Sequence, residues 1–360
     1  MPKIWIDIIT PKQVLFFNRL IKILQEKNYD VLVTSRNYYE LNQMLDIFQI
    51  KGRIAGKHGG KSLRGKLQAG LDRAMKLLDI VSEEHPDMLV SLTSDVAARV
   101  AFGLKIPHIS TSDSPFAIAV NKLSIPYVNK LLVPKAIELQ DWLRFGITVE
   151  NITSYDAVDA VAWIKYLEPN PGVLGELDLE KDDLIVLLRP EEAYAAYTLD
   201  WEIKEPIIYP TIRKILKNFP DAKIVTLPRY EEQFKLLKQD YADELIIPDK
   251  PIDVPSLLTF TSLMTGFAGT INQEAAILGI PTVSFRPVPL WSDYYLEEKG
   301  LLYIAKSPED AADISLKILK NRESYLASHK ELAQKALQEM DDPIEKLVNI
   351  VFNYFKQDKT

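Results

Sequence analysis

Cysteine is absent from the 360-residue chain, which excludes disulfides, thiolate metal sites and cysteine nucleophiles and leaves a reducing compartment as the default. Long apolar runs are also lacking; none reaches the roughly 20 residues of a membrane-spanning helix. Basic charge is not in excess. The 43 Lys and Arg face 50 Asp and Glu, a net charge of −7, which argues against a nucleic-acid partner. Histidine is scarce, and His85, His108 and His329 show no metal-ligand spacing, so no metal site is expected. No Gly-x-Ser-x-Gly elbow occurs, which argues against an α/β-hydrolase. What the chain does have is 47% apolar content, ample for two cores, and a length suited to about two domains. Met1 to Asp7 reads as an immediate strand carrying an acid, not as a signal peptide. A cytoplasmic protein is expected, with contact at the inner membrane face left open.

Strand and helix signals alternate along the chain. Apolar runs at 3–9, 30–34, 87–92, 107–111, 130–133 and 149–153 read as strands of a first half. Thr10-Pro11 suits a helix start, and Ser62 suits the cap of a long helix reaching Glu84. Residues 166–183 mix proline, glycine and charge without period, which predicts a linker or domain edge. Alternation resumes at 184–188 and 222–227 and continues to 301–304. A final amphipathic helix carries Ile344, Leu347, Val348, Val351, Phe352 and Phe355 on one stripe. Short apolar strands alternating with helices imply parallel sheets covered on both faces. The expected class is α/β, with two doubly wound Rossmann-like domains facing across a cleft. Boundaries are expected at 1–165, 166–183 (linker), 184–338 and 339–360 (final helix). Ligands of such sheets bind beyond the carboxyl ends of the strands.

The densest motif is Gly266-Phe267-Ala268-Gly269-Thr270-Ile271-Asn272-Gln273-Glu274, closing at Gly279. Small residues let a backbone approach a ligand, and the open N–H groups of a helix start attract phosphate. Glu274 is near enough to that start to reach a ribose hydroxyl. An ordinary strand–turn–helix with a glycine cap fits the same spacing. Arg189 in Arg189-Pro190-Glu191 and Arg229 in Leu227-Pro228-Arg229 follow predicted strands, and a guanidinium suits phosphate. Ala55-Gly56-Lys57-His58-Gly59-Gly60-Lys61-Ser62 is a relaxed phosphate-loop pattern with no partner acid for magnesium. It reads better as a mobile loop bringing His58, Lys57 and Lys61 to the cleft. Asp7 ends the first strand and Asp113 follows the fifth; either could be a general base, or a turn or cap carboxylate. Tyr194, Tyr197, Trp201 and Trp291 could stack on a ligand or simply pack. Segment 116–135 carries apolar residues with Lys122, Lys130 and Lys135 nearby, a pattern that suits an anionic lipid surface or a buried helix and strand.

Several of these segments together resemble one known group. They are 3–8 followed by Val14-Leu15-Phe16-Phe17, then 56–62, Ala97-Ala98-Arg99-Val100-Ala101, Arg189-Pro190-Glu191 with Tyr197, and Gly269-Thr270 through Pro281. The group is domain-of-unknown-function family 354, largely archaeal. It is similar to glycosyltransferases of the GT-B architecture and to non-hydrolysing UDP-N-acetylglucosamine 2-epimerases. The resemblance implies that Glu274 binds the nucleotide ribose and that the diphosphate rests on the backbone at Gly269 and Thr270. It implies that the final helix crosses back to the first domain. One loop departs from the family, whose first loop carries Asn-Pro and one or two histidines. Here it reads Ile9-Thr10-Pro11-Lys12-Gln13-Val14-Leu15, and neither Gln13 nor Leu15 can act as a base.

The expected function is a metal-independent glycosyltransferase using a nucleotide-diphosphate sugar, UDP-linked by resemblance, and a glycan or lipid-linked acceptor. Gly269, Thr270, Asn272, Glu274, Arg189, Arg229 and Lys61 would bind the donor. Asp113, His58 or Asp7 would supply the base. No obligatory cofactor is expected. A UDP-sugar 2-epimerase and a non-catalytic nucleotide-sugar or partner-binding protein are the alternatives.

Overall fold

A computed structural model describes residues 1–60, 62–191 and 205–357. Lys61, Tyr194, Tyr197 and Trp201 therefore lie outside the described residues. The chain divides into two compact units, Met1–Trp163 with Asp341–Thr360, and Ile164–Met340.

The first unit is built on seven parallel strands: β1 (Lys3–Ile8), β2 (Asp30–Asn37), β3 (Arg53–Lys57), β4 (Met88–Leu92), β5 (His108–Thr111), β6 (Lys130–Pro134) and β7 (Ile152–Tyr155). Their order is β3-β2-β1-β4-β5-β6-β7, so the winding direction reverses between β1 and β4. Central strands must be apolar on both faces because helices cover both. Ile4, Trp5, Ile6 and Ile8 of β1 are accordingly all buried. Trp5, Leu32 and Leu89 pack under Leu77, Ile80 and Val81 of the helix Leu63–Glu84 and under Ala97, Val100 and Ala101 of the helix Asp95–Gly103. Ser62 caps the first of these helices, its Oγ accepting from Gly65 N at 3.0 Å. Thr10 holds the N-cap position of the helix Pro11–Glu26, yet its side chain makes no capping bond. Gln13 ties this entry instead, its Oε1 accepting from Ile9 N at 2.6 Å. The chain returns to this unit at its end. The helix Pro343–Gln357 packs on Pro11–Glu26, burying Ile344, Leu347 and Val351, and Phe352 stacks on Tyr29 at 5.3 Å.

The second unit carries β8 (Ile185–Arg189), β9 (Lys223–Thr226), β10 (Leu245–Ile246), β11 (Leu263–Gly266), β12 (Thr282–Phe285) and β13 (Leu302–Ala305). All pair in parallel, in the order β10-β9-β8-β11-β12-β13, with the reversal between β8 and β11. Residues 166–183 lie at the start of the second unit. Val173, Leu174, Leu177 and Leu179 are buried in one cluster with Leu187, Leu257 and Leu258, so four apolar anchors hidden among prolines draw the segment into this core. The helix Arg322–Glu339 crosses the helix Thr270–Ile277 at Gly279, where a Cβ would stand 2.7 Å from Lys330 Cα. Glycine is required there twice over, because φ is +76°. No helix among the described residues is long and apolar enough to cross a membrane.

Candidate functional site

In the second unit the winding reversal places the end of β8 beside the end of β11. β11 stops at Gly266 because the chain must pass between two side chains. A Cβ there would meet Asn272 Oδ1 at 2.7 Å and Arg189 Cβ at 3.1 Å. Ala268 and Gly269 then take positive φ, +53° and +96°, and Gly269 becomes the N-cap of the helix Thr270–Ile277. Among the described residues no side-chain cap closes that helix. Its first N–H groups, which lack intrahelical acceptors by geometry, are thus left for another acceptor. Among the described residues, and apart from its chain neighbours, no atom lies within 4 Å of the position a Gly269 Cβ would occupy. Asn272 is buried and braces the turn, Nδ2 donating to Gly266 O at 3.4 Å. Its Oδ1 has no hydrogen-bond partner among the described residues. Glu274 is buried on the same helix, about one turn past its start at Thr270.

Three arginines stand at or just past the ends of β8, β9 and β12 in the same sheet. Arg189 closes β8 and donates from Nη1 to Leu227 O at 2.6 Å, which ties β8 to the chain leaving β9. Arg229 is held by its backbone N, which donates to Gln233 Oε1 at 2.9 Å. Gln233 Nε2 in turn donates to Glu191 O at 2.8 Å. Glu191 is buried and accepts from Ile207 N, and burial pushes its carboxyl above the usual range against the pull of Arg229. Arg286 follows β12 and lies over the Phe267 ring at 5.7 Å. Near it Asp293 accepts from Leu290 N at 2.8 Å and Ser284 Oγ at 3.2 Å, and burial raises its pKa to about 6. Sequence reasoning missed Arg286, although Phe285-Arg286-Pro287 repeats the strand-end pattern of Leu188-Arg189-Pro190. Trp291 makes an edge contact with Tyr295 on its own helix at 6.4 Å.

In the first unit Gln13 bridges the reversal point, accepting from Ile9 N and donating from Nε2 to Leu92 O at 3.0 Å. The residue that departs from the family pattern is therefore a clamp joining β1 to β4. Beside it, Lys12 Nζ stands 2.5 Å from Asp113 Oδ2 and 2.7 Å from Asp159 Oδ2. Ser114 Oγ donates to Asp113 Oδ1 at 2.8 Å, and the Tyr155 hydroxyl donates to Asp159 Oδ1. Burial favours the neutral form of Asp113, but Lys12 and Ser114 outweigh it and hold the carboxyl below its usual range. Asp159 is pushed the other way, to about 6, by burial and by the Asp113 charge, with Lys12 opposing. Burial opposes the Lys12 charge, yet the two carboxylates raise its pKa. Lys12 and Asp113 keep side-chain exposures of 21% and 11%, whereas Asp159 has 1%, so Asp113 and Lys12 can touch a ligand and Asp159 acts through Lys12. Lys12, Asp159 and Tyr155 were not singled out from sequence. Their signal was weak, being charged or hydroxyl groups at a strand end or a few residues past one.

Asp7 is corrected by its surroundings. It is wholly buried; Oδ1 accepts from Thr34 Oγ1 at 2.5 Å and Arg73 Nη2 at 2.7 Å, and Oδ2 accepts from Ser94 Oγ at 2.6 Å and Arg73 Nη1 at 3.3 Å. A carboxylate with both oxygens so engaged anchors β1, β2, β4 and the helix Leu63–Glu84; it is not available as a base. His58 follows β3, where its ring lies 5.2 Å from Tyr38 and its Nδ1 accepts from Gly60 N at 3.2 Å. Partial burial, then Arg36 and Lys66, lower its pKa. β3 and β5 are four strand spacings apart, roughly 19 Å at about 4.8 Å each. His58 and Asp113 thus belong to separate clusters.

The family described as "Protein of unknown function (DUF354)" matches residues 2–356. An uncharacterized protein of Methanocaldococcus jannaschii is 30% identical over 361 residues, covering 98% of each chain. Among solved structures, a co-structure of S. aureus MnaA with UDP aligns with a TM-score of 0.76 at 16% identity, over 99% of this chain and 97% of that one. The UDP-GlcNAc 2-epimerase of Methanocaldococcus jannaschii, in complex with UDP-GlcNAc and UDP, aligns at 0.69 and 18% identity, over 98% and 99%. The fold is accordingly GT-B-like, a pair of doubly wound Rossmann-like domains.

Proposed function

The chain belongs to the DUF354 family, and on that premise we propose that it is an enzyme acting on a UDP-sugar. The observation that carries this reading is the helix start at Gly269–Thr270, uncapped and open among the described residues, in a sheet whose strand ends carry Arg189, Arg229 and Arg286. Backbone N–H groups there would hold the diphosphate, and Glu274 would fix the ribose. Cations and helix amides suffice to offset the leaving-group charge, so no obligatory metal is proposed.

The reaction follows from the proton-handling groups of the first unit. A sugar epimerisation needs one group to remove a proton and another to deliver one. The Lys12–Asp113–Asp159 cluster offers an ionised carboxylate, an ammonium and a carboxyl that titrates near 6, a divergence of environments that marks acid and base roles. This favours a 2-epimerase type of reaction on the sugar. The second reading is glycosyl transfer, in which Asp113 deprotonates an acceptor hydroxyl of a glycan or lipid-linked sugar; it is supported by the GT-B-like fold. Incubation with UDP-N-acetylglucosamine, followed by NMR, tests both. Appearance of the 2-epimer supports the first, and UDP release only with an acceptor supports the second. Tight UDP binding without turnover across broad panels would leave a binding protein.

A further inference from the structure

The helix Ile118–Ser124 of the first unit is turned inside out. Its polar side chains Asn121 and Ser124 are wholly buried, Asn121 Nδ2 donating to Ser114 O and Ser124 Oγ to Val120 O, both at 2.8 Å. Its apolar side chains Ile118, Val120 and Leu123 are 40%, 36% and 55% exposed. A surface helix ordinarily shows the opposite arrangement. Of segment 116–135, β6 is thus the buried part, with Leu131, Leu132 and Val133 in the core, and this helix is the open part. The helix packs on Asp95–Gly103, which continues the apolar surface with Phe102, 57% exposed and 4.8 Å from the Tyr127 ring.

The charge around this surface is one-sided. Between Asp95 and Glu138 the chain has five basic residues and one acid, Asp113, although its overall net charge is −7. Asp113 is taken up by Lys12. Lys130 and Lys135 are engaged at β6, Lys130 Nζ donating to Glu150 O at 2.6 Å and Lys135 Nζ lying 3.7 Å from Asp156. Arg144, which donates to Pro115 O, has its own counter-charge in Asp141 at 3.7 Å. Three cations remain. Arg99 is one turn before Phe102, Lys105 follows the same helix, and Lys122 adjoins Leu123; all are exposed and form no ion pair among the described residues.

We propose that this face docks on an anionic phospholipid surface, with Ile118, Leu123 and Phe102 entering the boundary between headgroups and acyl chains and Arg99, Lys105 and Lys122 meeting lipid phosphates. Apolar side chains turned outward with cations beside them are what an interfacial helix needs, because burial in lipid and attraction to anionic headgroups then act together. Charge also argues against a second copy of the chain as the occupant, since an isologous pairing of this face would bring cations toward cations. The docking does not depend on which sugar reaction the chain performs. Asn121 ties the helix to Ser114, next to Asp113, so a docked chain would hold that carboxylate near a lipid-borne substrate.

Flotation of the full chain with phosphatidylcholine vesicles, with and without phosphatidylglycerol, tests the proposal. The wild-type chain is expected to float with the phosphatidylglycerol vesicles and to stay behind with phosphatidylcholine alone, and added salt should weaken the binding. Ile118→Asp combined with Leu123→Asp should lower vesicle affinity by about tenfold or more, and so, separately, should Lys105→Glu combined with Lys122→Glu. All four side chains are exposed, so circular dichroism should be unchanged in both variants; the lysine pair, which touches no apolar contact, keeps the test open should the aspartates disturb folding. A wild-type chain that never floats overturns the proposal, as does equal binding to both kinds of vesicle or flotation that survives either folded variant. Self-association of the wild type that is lost in the aspartate variant, with vesicles left unbound, would assign the face to a protein and likewise overturn it.

Discussion

Lys12 and Asp113 form a partly buried ion pair, Nζ to Oδ2 at 2.5 Å, across 101 positions of sequence. The ammonium is shared with Asp159, so its position depends on both carboxylates. If Asp113 transfers a proton, Asp113→Asn should lower kcat by about 100-fold or more, the usual size of a lost acid–base group. UDP affinity should not change, since the nucleotide groups are on the other unit. A rate loss explained entirely by weaker UDP binding in calorimetry would remove Asp113 from the chemistry.

Asp7 should behave differently. Asp7→Asn leaves Arg73 buried without its counter-charge, a change that typically costs about 3–5 kcal/mol. Urea unfolding should show that loss, and the fraction still folded should bind UDP normally. A variant as stable as wild type but inactive would restore Asp7 as a candidate base.

Two glycines of one turn make opposite predictions. Gly266→Ala drives a methyl to 2.7 Å from Asn272 Oδ1 and 3.1 Å from Arg189 Cβ, and should destabilise the second unit by about 1–3 kcal/mol. Gly269→Ala meets no neighbour among the described residues and suffers there only from its φ of +96°, a cost of about 1 kcal/mol. Its effect should appear in UDP affinity, because the new methyl occupies the approach to the helix start. Equal UDP affinity for Gly269→Ala and wild type, by calorimetry, would place the diphosphate elsewhere.

Glu274→Ala should weaken UDP binding by roughly 1–3 kcal/mol, the size of a lost hydrogen bond to a charged group. An unchanged dissociation constant would take Glu274 out of the site.

Asp293 gives a pH signature. Its folded pKa is raised to about 6 by burial, against about 3.9 when unfolded. The folded state therefore holds the proton more tightly. The stabilisation is complete below about pH 4 and is lost as pH rises through about 6, amounting to about 2–3 kcal/mol. The difference in unfolding free energy between wild type and Asp293→Asn should shrink in that direction over this window. A pH-independent difference would mean that Asp293 is not protonated in the folded chain.

The two doubly wound sheets were legible in the residues because a strand covered on both faces has to be apolar on both. Runs such as Ile4 to Ile8 and Ile185 to Leu188 announce themselves whatever the rest of the chain does. Gly266, Gly269 and Gly279 were legible for a similar reason: close approach or positive φ admits little else. Arg286 was readable too, had the Arg-Pro repeat been followed. The packing of residues 166–183 was not legible, because proline and glycine dominate the local pattern while burial of Val173 and Leu174 depends on a core assembled far along the chain.

Charge and protonation were beyond local reading. Asp7, Asp113 and Asp159 are the same side chain, each just inside or beyond a strand end. One is enclosed by Arg73, Thr34 and Ser94, one is held ionised by Lys12 and Ser114, and one is pushed toward neutrality by burial. Amino-acid order set which strands form and where the backbone must bend, because sterics and apolar periodicity act between near neighbours. Which carboxylate is an anchor and which can meet a ligand was settled by folding, because electrostatics and desolvation depend on groups brought together from distant parts of the chain.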